Sequence, residues 1–517
     1  MNSVTFNPPT ISSGTVTKGL VLLNVFLVLF YFSWWFTPGQ QGNLVLFGLL
    51  FAGEVYHVIM ILLFWFTVRR LDTAKTPALP VNMGYQPSVD VYVTVAGEPI
   101  EILTETIQKI QANTYQNKKI FILNDSFVAG KENWREYEVL AKKLGVTCIT
   151  RKTPGGAKAG NINNALRKTT GELVAVFDTD MAPFDDFLSK TVPHFIDEKV
   201  AFVQTPQYYA NADENLITSG AWEQQEFFFG PIMRGKADSN AAFICGTNVV
   251  IRRTALLEVG GMNETSIAED FLTSLSIHQN GWKSIYVPEV LATGLAPEDL
   301  NSYYKQQLRW ARGSVEVLFK HNPLFVRGLT WKQRLEYLSS TLYYCNGVVV
   351  LIDSLIPITF LLLGLSPIFS TTTVFALYFL PFMMSVIYSL HLISGKGLTL
   401  RAIAFTQASW FLQIQALLSA ISGKKMGFAV TPKTAQSGNF IFLAYPHLAY
   451  IALAIVSSIW AINRDGLSPS VITNISWVLF NILLFVPFIV ASVKWRKLLG
   501  EYVPSFKSRS VNPGSYD

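Results

Sequence analysis

The sequence predicts a mostly parallel α/β domain inserted into a bundle of about six membrane-spanning α-helices, with further helices at the interface. Three observations predict it. Six apolar runs, 19–36, 43–68, 338–365, 373–393, 440–462 and 471–493, each approach or exceed the length that crosses a bilayer as a helix, which is roughly 20 residues. Between the second and third runs, short apolar stretches alternate with helical periodicity, the pattern of a parallel sheet covered on both faces. The 517-residue chain is 50% hydrophobic and only 15% charged, a balance unsuited to a wholly soluble protein.

The first run is long, lacks a small-residue cleavage site and is followed closely by a second, so it reads as a span and not a signal peptide. Residues 1–75 form an N-terminal membrane region of two spans, and 76–330 form the soluble domain. Residues 331–495 form a C-terminal membrane region of four spans, and 496–517 a tail, beyond which no further domain is expected. Arg69, Arg70 and Lys75 follow the second span, and Lys494, Arg496 and Lys497 follow the last. Positive loops stay cytoplasmic, so six spans put both ends and the soluble domain in the cytoplasm of a cell (plasma or inner) membrane. Arg464 and Asp465, on the outer side, are a minor exception. The segment 398–421 is less uniformly apolar and reads as an interface helix, since a seventh span would reverse this topology.

The net charge of +6 fits juxtamembrane anchoring and needs no nucleic acid to explain it. Cys148, Cys245 and Cys345 are far apart, without metal or redox spacing. Glu54, His57 and Asp353 fall inside spans. Ionisable groups there face protein or a wet cavity, which leaves a polymer channel or a structural pairing.

Within the soluble domain, "VDVYVTVAGEP" (89–99), "KIFILNDS" (119–126), "VTCIT" (146–150) and "LVAVF" (173–177) read as strands, and 101–112 and 159–167 as helices. Ligands on such sheets bind beyond the strand C-termini, where Asp125 and Asp178 fall.

Four motifs bear on chemistry. Asp178-Thr179-Asp180 ends a strand with two hard oxygen ligands suited to Mg²⁺ or Mn²⁺, or forms a solvated Asx turn. "TPGGAKAGNINNAL" (153–166) exposes backbone amides beside Lys158 at a helix start, an anion site, or an ordinary glycine-rich loop. Glu269 and Asp270 open a helix, as a general base for a hydroxyl or as acids favouring the helix N-terminus. "YYKQQLRWARG" (303–313) holds Gln306, Arg309, Trp310 and Arg312, for a leaving diphosphate and a sugar ring, or as an interfacial helix. The aromatics of "WEQQEFFFG" (222–230) read as core. One reaction needs all four motifs together: transfer of a sugar from a nucleotide diphosphate to a hydroxyl acceptor.

The ordered set Asp125, Lys158-Ala159-Gly160-Asn161, Asp178-Thr179-Asp180, "VQTPQYY" (203–209), "FICGTN" (243–248), Glu269-Asp270 and Gln306-x-x-Arg309-Trp310 resembles the family 2 processive glycosyltransferases, especially bacterial cellulose synthase catalytic subunits. "FAVTPK" (428–433) resembles that family's gating loop, placed within 424–437. The resemblance implies a GT-A fold, inverting chemistry, a UDP-sugar donor, a growing polysaccharide acceptor and Mg²⁺ or Mn²⁺. It assigns Glu98, Asp125, Lys158, Asp178, Gln306 and Arg309 to the donor, Asp180 with Asp178 to the metal, and Asp270 with Glu269 to the base. Phe243, Cys245, Gly246 and Trp310 fall to the acceptor, and Phe428, Val430, Thr431 and Lys433 to the gating loop.

The chain departs from the family at Ala96-Gly97, where a tyrosine is usual, at Asn124-Asp125-Ser126, at Ala268 and at Thr247-Asn248. The first changes the expected uracil contact, and the set leaves sugar and linkage open. No regulatory PilZ domain is expected after the last span. The reading is a synthase that polymerises a β-glucan, expected from UDP-glucose, and moves it across the bilayer. The alternatives are a synthase of β-1,3-glucan, hyaluronan, a chitin-like polymer or mannan, and a non-processive transferase acting on a lipid carrier. Accessory export proteins and homo-oligomers stay open.

Overall fold

A computed structural model describes residues 13–71, 84–394, 399–423 and 438–493. Two long apolar helices open the chain, α1 (Ser13–Trp35) and α2 (Leu44–Val68). The soluble domain follows in the order β1 (Val89–Val95), α3 (Ile100–Ala112), β2 (Lys118–Asn124), α4 (Glu136–Leu144), β3 (Thr147–Thr150), α5 (Ala157–Leu166), β4 (Leu173–Asp178), β5 (Ala182–Pro183) and α6 (Phe187–Thr191). It continues with β6 (Val200–Gln204), β7 (Tyr208–Tyr209), α7 (Leu216–Phe227), α8 (Met233–Asp238), β8 (Val249–Arg252), α9 (Arg253–Glu258), α10 (Glu269–Gln279), β9 (Lys283–Tyr286), β10 (Ala292–Gly294) and α11 (Leu300–Lys320). The second membrane half comprises α12 (Trp331–Leu342), α13 (Asn346–Leu363), α14 (Thr372–Ser394), α15 (Leu400–Ala408), α16 (Trp410–Ile421), α17 (Tyr445–Asp465) and α18 (Pro469–Ala491).

Seven strands form one twisted sheet in the order β3-β2-β1-β4-β8-β6-β9. All are parallel to β1 except β8, which is antiparallel to both of its neighbours. This is the mostly parallel sheet that the sequence predicts. Every residue of β1 and β6 is buried, because helices cover both faces. One core joins Val91, Val93, Ala175 and Phe177 to Leu103, Ile107 and Ile110 of α3. The other joins Tyr92, Val174 and Val176 to Ile162 and Ala165 of α5. The strands therefore read as apolar runs without alternation.

Register decides where the chemistry collects. Val95 pairs with Asn124, and Thr94 with Asp178, so Ala96, Asp125 and Asp178 leave the sheet at one edge. The reversed strand β8 enters from that edge, with Val249 opposite Val176. Its preceding turn, Gly246-Thr247, is thereby set beside Asp178.

Among the described residues six helical segments are long and apolar enough to cross a membrane: Lys18–Trp35, Leu44–Val68, Trp331–Leu363, Thr372–Ile393, Ile441–Asp465 and Pro469–Ala491. They coincide with the six runs expected from sequence. Many of their large side chains face outward, among them Leu22 at 70% and Phe26 at 63% exposure, as lipid contact requires. The segment 398–421 is two helices, α15 and α16, meeting at Ser409, and neither is long enough to cross a bilayer alone. α15 is tied to the soluble domain, where Gln224 Nε2 donates to Thr406 Oγ1 at 3.0 Å. α16 packs along α11, and Arg312 Nε donates to Ser419 Oγ at 3.0 Å.

The ionisable residues inside the spans meet one another. His57 Nε2 of α2 lies 3.7 Å from Asp353 Oδ2 of α13, and the buried Glu54 carboxyl faces both Asp353 and the Tyr31 hydroxyl of α1. The three cysteines are free.

Candidate active site

The sheet edge opens into a cavity of about 670 Å³. Glu98, Asp125, Lys158, Asp178, Asp180, Phe243, Cys245, Gly246, Glu269, Asp270, Gln306, Arg309 and Trp310 all line it. Every site residue expected from the sequence is thus in one place, except Phe428, Val430, Thr431 and Lys433, which lie outside the described residues. Arg312, grouped with Arg309 by sequence, is not a lining residue. It turns the other way, to Ser419 and to Glu316 Oε2 at 2.9 Å. Phe227, Phe228 and Phe229, expected to be core, line the cavity; Phe229 is at the same time part of a buried core with Met233 and Phe243, and Phe228 packs against it.

The acid pair sits where β4 stops. Asp178 Oδ1 accepts from Thr94 Oγ1 at 3.2 Å and from Lys158 Nζ, while Asp178 N donates to Thr247 Oγ1 at 2.9 Å. Thr179 is turned into the sheet, donating to Thr94 O at 2.6 Å and accepting from Thr106 Oγ1 through its own carbonyl at 2.6 Å. Asp180 is 5% exposed. Burial pushes the nearby Tyr209 hydroxyl above its ordinary range, with the charge of Asp180 adding to the effect and a hydrogen bond with Gln306 opposing it. Asp180, Tyr209, Gln306 and Arg309 therefore share one wall.

Lys158 links this pair to the other side. Its Nζ donates to the Gly246 carbonyl at 2.7 Å as well as to Asp178. Gly246 has φ +79, a conformation that favours glycine, and a Cβ there would lie 3.2 Å from Asp270 Oδ2 and 3.7 Å from Lys158 Nζ. A side chain there would crowd the close approach of this turn to the Asp270 carboxylate.

Glu269 and Asp270 are the first two residues of α10. Asp270 Oδ1 accepts from Phe271 N at 2.7 Å. Burial raises Asp270 above the usual carboxylate range, opposed by that N–H and by the cations Lys158 and Arg309. Burial, then the charge of Asp270, pushes Glu269 up from 4.5 to about 7. An acid raised on folding ionises first in the unfolded chain, so this pair withdraws stability as pH rises from 4.5 to about 7. Melting temperature should fall across that window in wild type and fall less in Glu269→Gln; parallel profiles would refute the assignment. Burial and the Asp270 charge also hold the Cys245 thiol well above its ordinary value, which leaves it a poor nucleophile.

Sequence reasoning missed Arg151. It clasps Asp125 with two bonds of 2.6 Å, and its other donors reach the carbonyls of Gly155 and Ala157. One guanidinium thus sets both the Asp125 carboxylate and the glycine-rich loop before α5. The only signal was an arginine just upstream of that loop. Gln204 and Gln207 stand in the "VQTPQYY" motif, to which sequence reasoning assigned no role. Gln204 Oε1 accepts from Cys245 N at 2.9 Å, and Gln207 Nε2 donates to Cys245 O at 2.8 Å, fixing the acceptor-side turn.

Among the described residues no three His, Cys, Asp or Glu side chains converge on one point. A magnesium-type site built on one or two carboxylates and completed by phosphate and water needs no third. Buried Asp180, two residues from an Asp178 already engaged by Lys158, fits that donor set.

Residues 87–313 match the family model described as glycosyltransferase like family 2, and residues 257–463 match that described as cellulose synthase. The soluble half is a glycosyltransferase 2-like domain. It runs without a break into a cellulose synthase-type segment. The chain is 29% identical over 486 residues to the cellulose synthase catalytic subunit [UDP-forming] of Pseudomonas fluorescens, covering 90% of this chain and 65% of that protein. It is 35% identical over 329 residues to the subunit of the same description in Xanthomonas axonopodis pv. citri, covering 61% and 44%. The chain thus spans between about two-fifths and two-thirds of these relatives. The solved mannosyltransferase PcManGT from Pyrobaculum calidifontis, in complex with GDP-Man and Mn²⁺, matches 74% of this chain and 100% of its own, with a TM-score of 0.48 and 18% identity. The glycosyltransferase 2-like match contains every described site residue, and both matches include Asp270 and the Gln306–Trp310 turn.

Proposed function

We propose that this chain is a membrane-embedded, processive, inverting glycosyltransferase that extends a β-glucan from UDP-glucose and passes it across the membrane. One observation carries the reading. The cavity that holds Asp178, Asp180, Asp270 and Arg309 is also lined by Met60 and Phe64 of α2 and by Tyr343 and Tyr344, between α12 and α13 in the next span. A product made there lies against membrane helices before it is released. The basic residues Arg69 and Arg70 after α2 support a cytoplasmic catalytic domain.

The acceptor hydroxyl attacks the anomeric carbon as the bond from that carbon to the diphosphate breaks. The electron pair leaves with UDP, and Asp270 takes the hydroxyl proton. Arg309 and Gln306 face the departing diphosphate, and Trp310 offers its ring and N–H to the acceptor end. Asp125, held by Arg151, and Glu98 contact the nucleoside. Asp180, with Asp178, would hold Mg²⁺ or Mn²⁺, which when bound neutralises diphosphate charge.

Vesicles containing the protein should release UDP from UDP-glucose and accumulate a polymer that a β-1,4-specific glucanase digests. UDP release from another sugar nucleotide alone would move the reading to a different polysaccharide, and no release from any would refute it. EDTA should stop release and Mg²⁺ or Mn²⁺ restore it; undiminished release in EDTA would remove Asp180 from its role.

A further inference from the structure

The joint between the catalytic domain and the membrane helices holds a buried ion cluster that the reaction does not use. Glu336 of α12 is 1% exposed. Its Oε2 accepts from Thr67 Oγ1 at 2.7 Å. Its Oε1 accepts from Ser239 Oγ at 3.1 Å and lies 3.5 Å from Arg69 Nη1. The equally buried Lys236 Nζ lies 3.5 Å from Glu336 Oε2 and donates to Ser339 Oγ at 2.9 Å and to the Glu336 carbonyl. One carboxylate therefore gathers the end of span α2, helix α8 of the catalytic domain, and helix α12 that opens the next span.

Apolar side chains would join three helices as firmly, since replacing a buried ion pair by packed hydrocarbon is often neutral or stabilising. Directional contacts add register. α8 and α2 cross so closely at Gly235 that a Cβ there would sit 2.9 Å from the Thr67 carbonyl carbon and Cγ2. Thr67, Lys236 and Ser339 also line the cavity, so the cluster forms its wall where the catalytic half gives way to the membrane half. Two packing routes lead from it to the base. Tyr337, next to Glu336, has its ring centroid 5.1 Å from Phe271, the neighbour of Asp270. On the other side a π-helical turn, Phe228–Ile232, precedes α8. Phe228 is 5.9 Å from Phe243, which is 4.8 Å from Phe271.

We propose that Lys236 and Glu336 are a positioning pair that keeps the acceptor's path in register with Asp270, so that sugar goes to the growing chain and not to water. The inference rests on the proposed function. When register is lost, water attacks the anomeric carbon in place of the acceptor hydroxyl. The same bond to the diphosphate breaks, UDP leaves with the electron pair, and Asp270 takes the water's proton.

The test measures UDP released and sugar incorporated into polymer, in vesicles supplied with UDP-glucose. It compares wild type, Glu336→Gln, and the double variant Lys236→Met with Glu336→Leu, which leaves no buried charge unpaired. Misplacement by an ångström far from the chemistry changes rates by up to about a hundredfold. UDP released per sugar incorporated should therefore rise at least about tenfold in both variants, with shorter polymer. The double variant should melt close to wild type and keep the high ratio. A double variant that regains the wild-type ratio together with its stability makes the pair merely structural and overturns the inference alone. So does a parallel loss of UDP release and polymer in both variants. Wild type that releases no UDP overturns the proposed function, and this inference with it.

Discussion

Asp270→Asn should lower sugar transfer by about a hundred- to ten-thousandfold, the usual contribution of a positioned general base, while UDP-sugar binding stays near wild type. The change is isosteric. The amide can keep the hydrogen bond from Phe271 N, so α10 keeps its first turn. What it removes is the carboxylate oxygen that lies close to Gly246. UDP release gives the rate, and calorimetric titration with UDP-sugar gives the binding. Wild-type turnover would take Asp270 out of the mechanism; lost binding would make it a structural residue.

Lys158→Met should cost about a hundredfold in kcat/KM, carried mainly by KM. Lys158 Nζ ties Asp178 to the Gly246 carbonyl. Without it two carboxylates one residue apart lose a counter-charge at the donor site. The Gly246 carbonyl loses a charge-assisted hydrogen bond, worth about 1.5–3 kcal/mol, so a hundredfold effect is the expected scale. A kcat effect with unchanged KM would place Lys158 at the transferring group and not at donor binding.

The six spans were legible because length and apolarity decide them. The residues that line the cavity were legible because few reactions need an anion loop, an acid pair, a base and an Arg-Trp helix in one chain. β1 to β4 were visible as apolar runs. β8 was not: four residues, Val249–Arg252, carry no periodicity, and their reversed direction is set by neighbours distant in sequence. Arg151 was hidden because a clasp between residues 26 apart leaves no local pattern. Phe227 and Phe228 looked like core because an apolar wall of a cavity and a packed interior are written in the same residues. The break at Ser409 was invisible for the opposite reason. α15 and α16 would read as one helix by composition, and contacts to α7 and α11 part them.

The contact between His57 and Asp353, with Glu54 alongside, bears on how the protein is made. The two spans that meet there are separated by the entire catalytic domain, so a ribosome delivers Glu54 long before Asp353 exists. An ionised side chain stranded mid-bilayer costs about 2.5–3.5 kcal/mol on insertion scales. The polar contact between α2 and α13 therefore forms only after the soluble domain and α13 have been synthesised.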